Sequence, residues 1–208
     1  MNDFRELVTR TRSYRRFDNS VNIPREKLIE WVDLARLTPS AKNQQSLKYF
    51  IANTPNENRK VFECLSWAGY LPDWHGPSPK EQPTAYIVML NDKTITPICQ
   101  YDHGIAAQTI MLAANNEGFG GCIIAAVNRP QLVRYFPFAE HLEVLLVIAL
   151  GKPSEEIIIE PVVNGQIRYY RDEANRHHVP KRSLEEVLIN YSTETENAVV
   201  SLKVCNVS

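Results

Sequence analysis

Four arginines, Arg10, Arg12, Arg15 and Arg16, fall within seven residues of a chain whose formal net charge is only -1. Arginine carries a planar fork of donors that matches phosphate or carboxylate oxygens and stays charged at any working pH. Ser13, inside the group, adds a hydroxyl of the kind that completes an oxyanion cage. The stretch Thr11-Arg12-Ser13-Tyr14-Arg15-Arg16-Phe17 therefore either grips an anion or presents a solvated basic face beside a helix end. A second basic patch, His177-His178-Val179-Pro180-Lys181-Arg182, lies far along the chain.

Two further stretches add binding groups. Residues 38 to 46 form a polar loop dense in amides and hydroxyls, and Gly118-Phe119-Gly120-Gly121 turns into the apolar run Cys122 to Val127. This inventory suits a small molecule with a phosphate at one end and a hydrogen-bonding ring at the other. Arg12, Arg15, Lys181 and Arg182 would grip the phosphate, while loop and strand backbone groups read the ring. The protein then supplies binding and electrostatics, and the ligand carries the chemistry.

Other signatures are missing. The chain has no GxSxG elbow, HExxH, Walker A loop or GxGxxG after a strand. Asp102-His103 reads as a satisfied polar pair near a helix start. His177-His178 is a poor chelating pair, so no metal site is expected. Cys122 reads as a buried small residue, because the sequence places no base beside it. The four cysteines (Cys64, Cys99, Cys122, Cys205) have no CxxC spacing and read as reduced thiols.

The elements that must position these groups alternate between helices and short strands. Helices are predicted over residues 2–10, from Pro24 to about Leu37, over 56–67, over 101–116 and over 129–136. The second is expected to bury Leu28, Trp31, Val32, Ala35 and Leu37. The helix 101–116 is apolar nearly all round and suits a core or a subunit interface. Strands are predicted at 49–52, 85–90, 122–127, 144–150 and 198–204, the second and fourth without polar interruption. Residues 68 to 83, rich in proline, glycine and aromatics, read as a lid or binding loop. Ser183 and Glu186 have capping-box spacing at a short helix reaching Ile189. At 208 residues, 44% hydrophobic and 23% charged, the whole reads as a single α/β or α+β domain. Near-neutral charge argues against nucleic acid or an anionic membrane as partner. No apolar run approaches the roughly 20 residues a membrane span requires, and no signal peptide opens the chain, so a cytoplasmic protein is expected.

In the order of these pieces the chain resembles the flavin-dependent nitroreductase family. The family's arginine-serine motif matches Thr11 to Phe17, and its proline-serine loop matches Pro39-Ser40-Ala41-Lys42-Asn43-Gln44-Gln45. Its glycine-rich turn into a core strand matches Gly118 to Val127, and its basic C-terminal stretch matches Pro180 to Glu186. The resemblance covers about residues 3–190 and implies an α+β sandwich, a mostly antiparallel sheet flanked by helices, in an intertwined homodimer holding FMN at each interface. It places Arg12, Ser13 and Arg15 on the FMN phosphate and ribityl chain, with Lys181 and Arg182 nearby. Pro39, Ser40, Ala41 and Asn43 reach the flavin from the other subunit, and Ile123, Ala125 and Ala126 line its ring. The extension 191–208 is expected to pack on the partner. The implied activity is a ping-pong oxidoreduction from NAD(P)H to a nitroaromatic, quinone or similar acceptor, without a catalytic side chain. Flavin fragmentation, dehalogenation and non-catalytic flavin binding are the alternatives. Tyr70, Trp74 and His75 are expected to cover the flavin face. Thr11, Ser46 and Ala125 depart from the family's usual residues, the last at a position bearing on substrate choice.

Overall fold

The computed structural model describes residues 4–189, so the expected strand 198–204, the extension 191–208 and Cys205 lie outside the described residues. By its own contacts the chain divides into two compact units, Met1–Glu155 and Glu156–Ser208.

The first unit is built on an antiparallel five-stranded sheet. It comprises β1 (Phe17–Asp18), β2 (Leu47–Ala52), β3 (Ala85–Asp92), β4 (Gly120–Ile124) and β5 (Leu142–Pro153). β3 lies between β2 and β5, and β1 and β4 both pair with β5. All of β3 is buried, as the apolar run 85–90 predicts, and the burial extends to the polar Asn91 and Asp92 at its end. Its alternate residues feed two cores. Ala85, Ile87 and Met89 join one with Leu28, Trp31 and Ile110, whereas Tyr86, Val88 and Leu90 join another with Val61, Cys122 and Leu132.

Five helices accompany this sheet: α1 (Phe4–Arg10), α2 (Arg25–Arg36), α3 (Pro55–Phe62), α4 (Asp102–Asn116) and α5 (Arg129–Tyr135). α2 opens behind Pro24 and buries Leu28, Trp31 and Ala35. Trp31 Nε1 donates to Glu117 at 3.0 Å, just beyond the end of α4. α4 turns Ala106, Ala107, Ile110, Met111 and Ala114 into the core. α3 begins with a complete capping box between Thr54 and Glu57.

Several predicted boundaries move, each for a tertiary reason. α3 stops at Phe62 because Leu65 bridges Val127 and Ser66 N donates to Ala126 O at 3.0 Å, drawing the chain off the helix. β5 runs on to Pro153 because β1 pairs there, with Phe17 packed over Gly151. Leu37 is 64% exposed because it lies past the last turn of α2. α1 has no fully buried residue: Phe4 is 70% and Val8 41% exposed.

The second unit holds a small sheet of β6 (Ile157–Pro161), β7 (Tyr170–Arg171) and β8 (His177–Lys181), followed by α6 (Leu184–Val187). β8 runs parallel to β6 and antiparallel to β7. His178 joins all three strands. Its ring contacts Glu160 at 2.8 Å and Asp172 at 3.2 Å, and stacks on Tyr170 with centroids 4.7 Å apart. The Ser183 hydroxyl accepts from Glu186 N, but the Glu186 carboxylate pairs with Arg182, so only half the expected capping box forms.

Two outcomes follow from this packing. A Cβ on Gly121 would lie 2.4 Å from the Ala149 carbonyl oxygen, so the backbone must shift. Gly121→Ala will therefore cost about 1–3 kcal/mol in denaturant unfolding. Glu160 and then Asp172 raise the His178 pKa, against a smaller opposing effect of burial. The resulting stability is full below the pKa of an unfolded histidine, about 6.5, and is lost as pH rises through the higher folded value. An NMR titration will show that elevated midpoint, and Glu160→Gln will lower it.

Candidate functional site

The arginine segment leaves α1 through Thr11, whose hydroxyl donates to Leu7 O at 2.7 Å. It then lies against β4: Ser13 bridges Gly121, and Tyr14 N donates to Gly121 O at 2.8 Å. Gly121 and Gly120 have no room for a side chain here, the second because Tyr14 and Pro153 pack over it. The close approach thus depends on two glycines that the sequence shows only as a turn signal.

The structure sorts the four arginines. Arg10 donates to Asn115 O at 3.4 Å and lies 3.8 Å from Glu6. Arg16 pairs with Glu81, donating from Nε at 2.6 Å. Glu155 accepts from the backbone N–H groups of Arg15 and Arg16, which fixes the turn between them. Arg15 donates to Ser13 O at 3.1 Å. Arg12 is half-buried, and its Nε is enclosed without a hydrogen-bond partner. A buried guanidinium nitrogen in that condition is what an anion site supplies with a partner. Neither Glu81 nor Glu155 stood out in the sequence, since each is a lone carboxylate far from the arginines it organises.

Beyond Gly121 the strand carries the residues expected at a ring. Cys122 is buried, and burial raises its thiol pKa against the pull of Arg15 and Ser13. Ile123 is 37% exposed on an otherwise buried strand, and Ala125 and Ala126 are exposed after it. These three make an exposed apolar shelf along the chain, starting two residues past the Ser13–Gly121 bridge. The loop 68–83 starts beside that shelf, through the Ser66 to Ala126 hydrogen bond. Gly76, with φ of +123°, packs on the Trp67 ring, and Trp74 lies half-buried against the second core. Tyr70 and His75 are exposed. A cavity of about 250 Å³ lies under this segment, lined in part by Trp67, Leu71, Trp74 and His75.

The loop expected to carry Pro39, Ser40, Ala41 and Asn43 is at the other end of α4. Ser40 Oγ donates to Asp102 Oδ2 at 2.6 Å, and Ala41 N donates to Asp102 Oδ1 at 3.0 Å. Asp102 is thus the satisfied polar group the sequence predicts, while its neighbour His103 lies 3.5 Å from Cys99 Sγ. Pro39, Ser40, Gln45, Tyr49 and Asp102 line a cavity of about 140 Å³. Burial, with smaller effects of Cys99 and Asp102, pushes the Tyr49 hydroxyl up to about 12. Asn115, which holds Arg10, and Asp102, which holds Ser40, are 13 residues apart on one helix. That spacing corresponds to about 20 Å.

Lys181 ends β8, and Arg182 follows it, pairing with Glu186 at 2.8 Å; both belong to the second unit. Among the described residues no group of three His, Cys, Asp or Glu side chains could hold a metal ion. None of the described helices is long and apolar enough to cross a membrane.

The fold agrees with that of known proteins. The nitroreductase family profile matches residues 8–71 and 80–152, and the chain belongs to that family. Membership makes it an oxidoreductase. The chain is 22% identical over 189 residues to YdgI of Bacillus subtilis (strain 168), named for an NAD(P)H nitroreductase activity, covering 74% of this chain and 90% of YdgI. Among solved structures it resembles an Exiguobacterium sibiricum protein named as a nitroreductase and crystallised with FMN. There the TM-score is 0.63 at 16% identity, over 74% of this chain and 90% of that one. A Parabacteroides distasonis protein, named for NADH dehydrogenase or NAD(P)H nitroreductase activity, gives a TM-score of 0.62 at 20% identity. It covers 83% of this chain and 99% of its own.

If Glu81 holds Arg16 away from the ligand, Glu81→Gln will leave ligand binding within about threefold while lowering stability by about 0.5–1 kcal/mol, as for a partly exposed ion pair. Parallel binding and thermal unfolding measurements separate the two effects.

Proposed function

We propose that this chain is an FMN-dependent oxidoreductase, acting as a homodimer, that takes electrons from NAD(P)H and delivers them in a second half-reaction to a small acceptor such as a nitroaromatic or quinone. The observation that carries this reading is the separation of two half-sites at opposite ends of α4. Arg12, Ser13 and Arg15 lie against β4 near one end, and the loop 39–43 is tied to Asp102 at the other. A second copy related by two-fold symmetry can bring its loop to the first copy's arginines. The exposed apolar side chains of Phe4, Val8, Ile29, Leu34 and Ile105 favour burial of this kind.

The residues present fit FMN. The unpartnered Arg12 Nε, together with the charge of Arg15 and the Ser13 hydroxyl, suits a phosphate, and the shelf of Ile123, Ala125 and Ala126 suits a flat ring. FMN bound to a relative of the same fold and the NAD(P)H in the name of YdgI support the assignment. When bound, the flavin supplies reversible hydride and electron transfer. The chain's own residues do the rest. Arg12 and Arg15 neutralise the phosphate, and Pro39, Ser40, Ala41 and Asn43 of a second copy close the pocket. Tyr70, Trp74 and His75 cover the reacting face and exclude water. No proton is assigned to a side chain.

Each charged phosphate contact contributes roughly 1.5–3 kcal/mol, so the Arg12→Ala/Arg15→Ala double variant will bind FMN at least about 100-fold more weakly in a fluorescence titration. Refolding this variant together with Asn43→Ala will restore flavin binding that neither shows alone, since a mixed dimer keeps one intact site. Absence of complementation between two folded variants would place both halves of the pocket within a single chain and end the dimer reading. Trp74→Ala will change acceptor turnover more than flavin retention; the opposite result removes the loop from the site.

A further inference from the structure

We infer that Asp102 is a positioning residue for the cofactor, holding the loop 39–45 in the backbone conformation that presents it to the flavin. This rests on the FMN reading above. Asp102 is the first residue of α4 and is 8% exposed. A carboxylate there is favoured by the positive end of the helix. One of its oxygens accepts from the Ser40 hydroxyl at 2.6 Å, and the other accepts from Ala41 N at 3.0 Å. The Ser40 oxygen in turn accepts from Gln45 N at 2.9 Å. A single carboxylate therefore ties down both ends of the turn.

The turn needs that restraint. Lys42, Asn43 and Gln45 have φ of +53°, +55° and +52°. Non-glycine residues avoid this left-handed region, and only asparagine among these three enters it readily. Three such residues within four positions persist only where surrounding bonds over-determine them. The Asp102 carboxylate provides those bonds from inside the protein, leaving the outer surface of the loop clear for a ligand.

The same geometry reassigns Ser40. Its hydroxyl proton is committed to Asp102 and its oxygen already accepts from Gln45, so it has no donor for the flavin. Ser40 then serves the ligand through its backbone, and its side chain acts on the loop. Asp102 touches no ligand and acts through Ser40 and Ala41.

The test is FMN titration of flavin-stripped full-length protein, with thermal unfolding followed in parallel. Asp102→Ala is expected to weaken FMN binding about tenfold or more, the scale of losing hydrogen bonds to a charged group. Asp102→Asn, which keeps an acceptor for Ala41 N, should recover most of that loss. Because Asp102 acts through Ser40, Ser40→Ala will cost much less in the Asp102→Ala background than alone. Additive losses, or an Asp102→Ala protein that binds FMN as wild type does, overturn the inference and leave the cofactor reading standing. A wild-type protein that takes up no FMN overturns the reading beneath it. Should Asp102→Ala not fold, Ser40→Ala decides alone. Faster hydrogen exchange at Gln45 N with weaker FMN binding supports the tether, and unchanged exchange and affinity sink it.

Discussion

The length of α4 is the constraint on which the rest depends. It is packed against α2 and the sheet through Ala106, Ala107, Ile110, Met111 and Ala114, whose small and medium side chains let it lie close to its neighbours. Both of its ends carry a buried polar residue, Asp102 and Asn115, and each is bonded to a different functional segment. The helix acts as a rigid spacer. It presents the arginine segment at one end and the strained loop at the other, and it sets the distance between them. Neither segment could shift without breaking hydrogen bonds that are shielded from water, where an unpaired group costs most.

The sheet supplies the second half of the arrangement. β5 pairs with β3, β4 and β1, and the arginine segment that leads into β1 lies alongside the first residues of β4. Gly121 is seated over the Ala149 carbonyl and Gly120 under Tyr14, which makes the glycine pair a packing requirement before it is anything else. Glu155 then satisfies the amides of Arg15 and Arg16. The cage is thus made by tertiary contacts among elements distant in sequence, not by the arginine motif alone.

This explains what could be read from the sequence and what could not. The existence of the main elements was legible because their periodicities are strong, as in β3 and in the α2 stripe of Leu28, Trp31 and Ala35. The ends were not, because α3 and β5 stop where partners from elsewhere in the chain dictate. The arginine cluster was legible as a group. Which members were already committed was not, since Glu81, Glu155 and Asn115 lie 65, 140 and 105 residues from the arginines they engage. The helix α1 was legible, but among the described residues Phe4 and Val8 stay exposed. Left-handed backbone at Lys42 and Gln45 had no sequence signal, because neither residue type favours it.

The distribution of charge argues for a site whose chemistry comes from its ligand. The basic residues near β4 include Arg12, whose Nε is enclosed without a hydrogen-bond partner, while the shelf beyond them is isoleucine and alanine. A protein that moved protons itself would need a titratable group at the shelf with its pKa brought toward neutrality. On β4 and in the arginine segment the titratable groups go the other way: burial raises the thiol of Cys122 and the hydroxyl of Tyr14. Small side chains at Ala125 and Ala126 instead let a flat ring approach the backbone, whose N–H and C=O groups do not titrate. In the proposed complex that combination would fix the ligand's position while leaving its reactive atoms open to whatever enters from the other side.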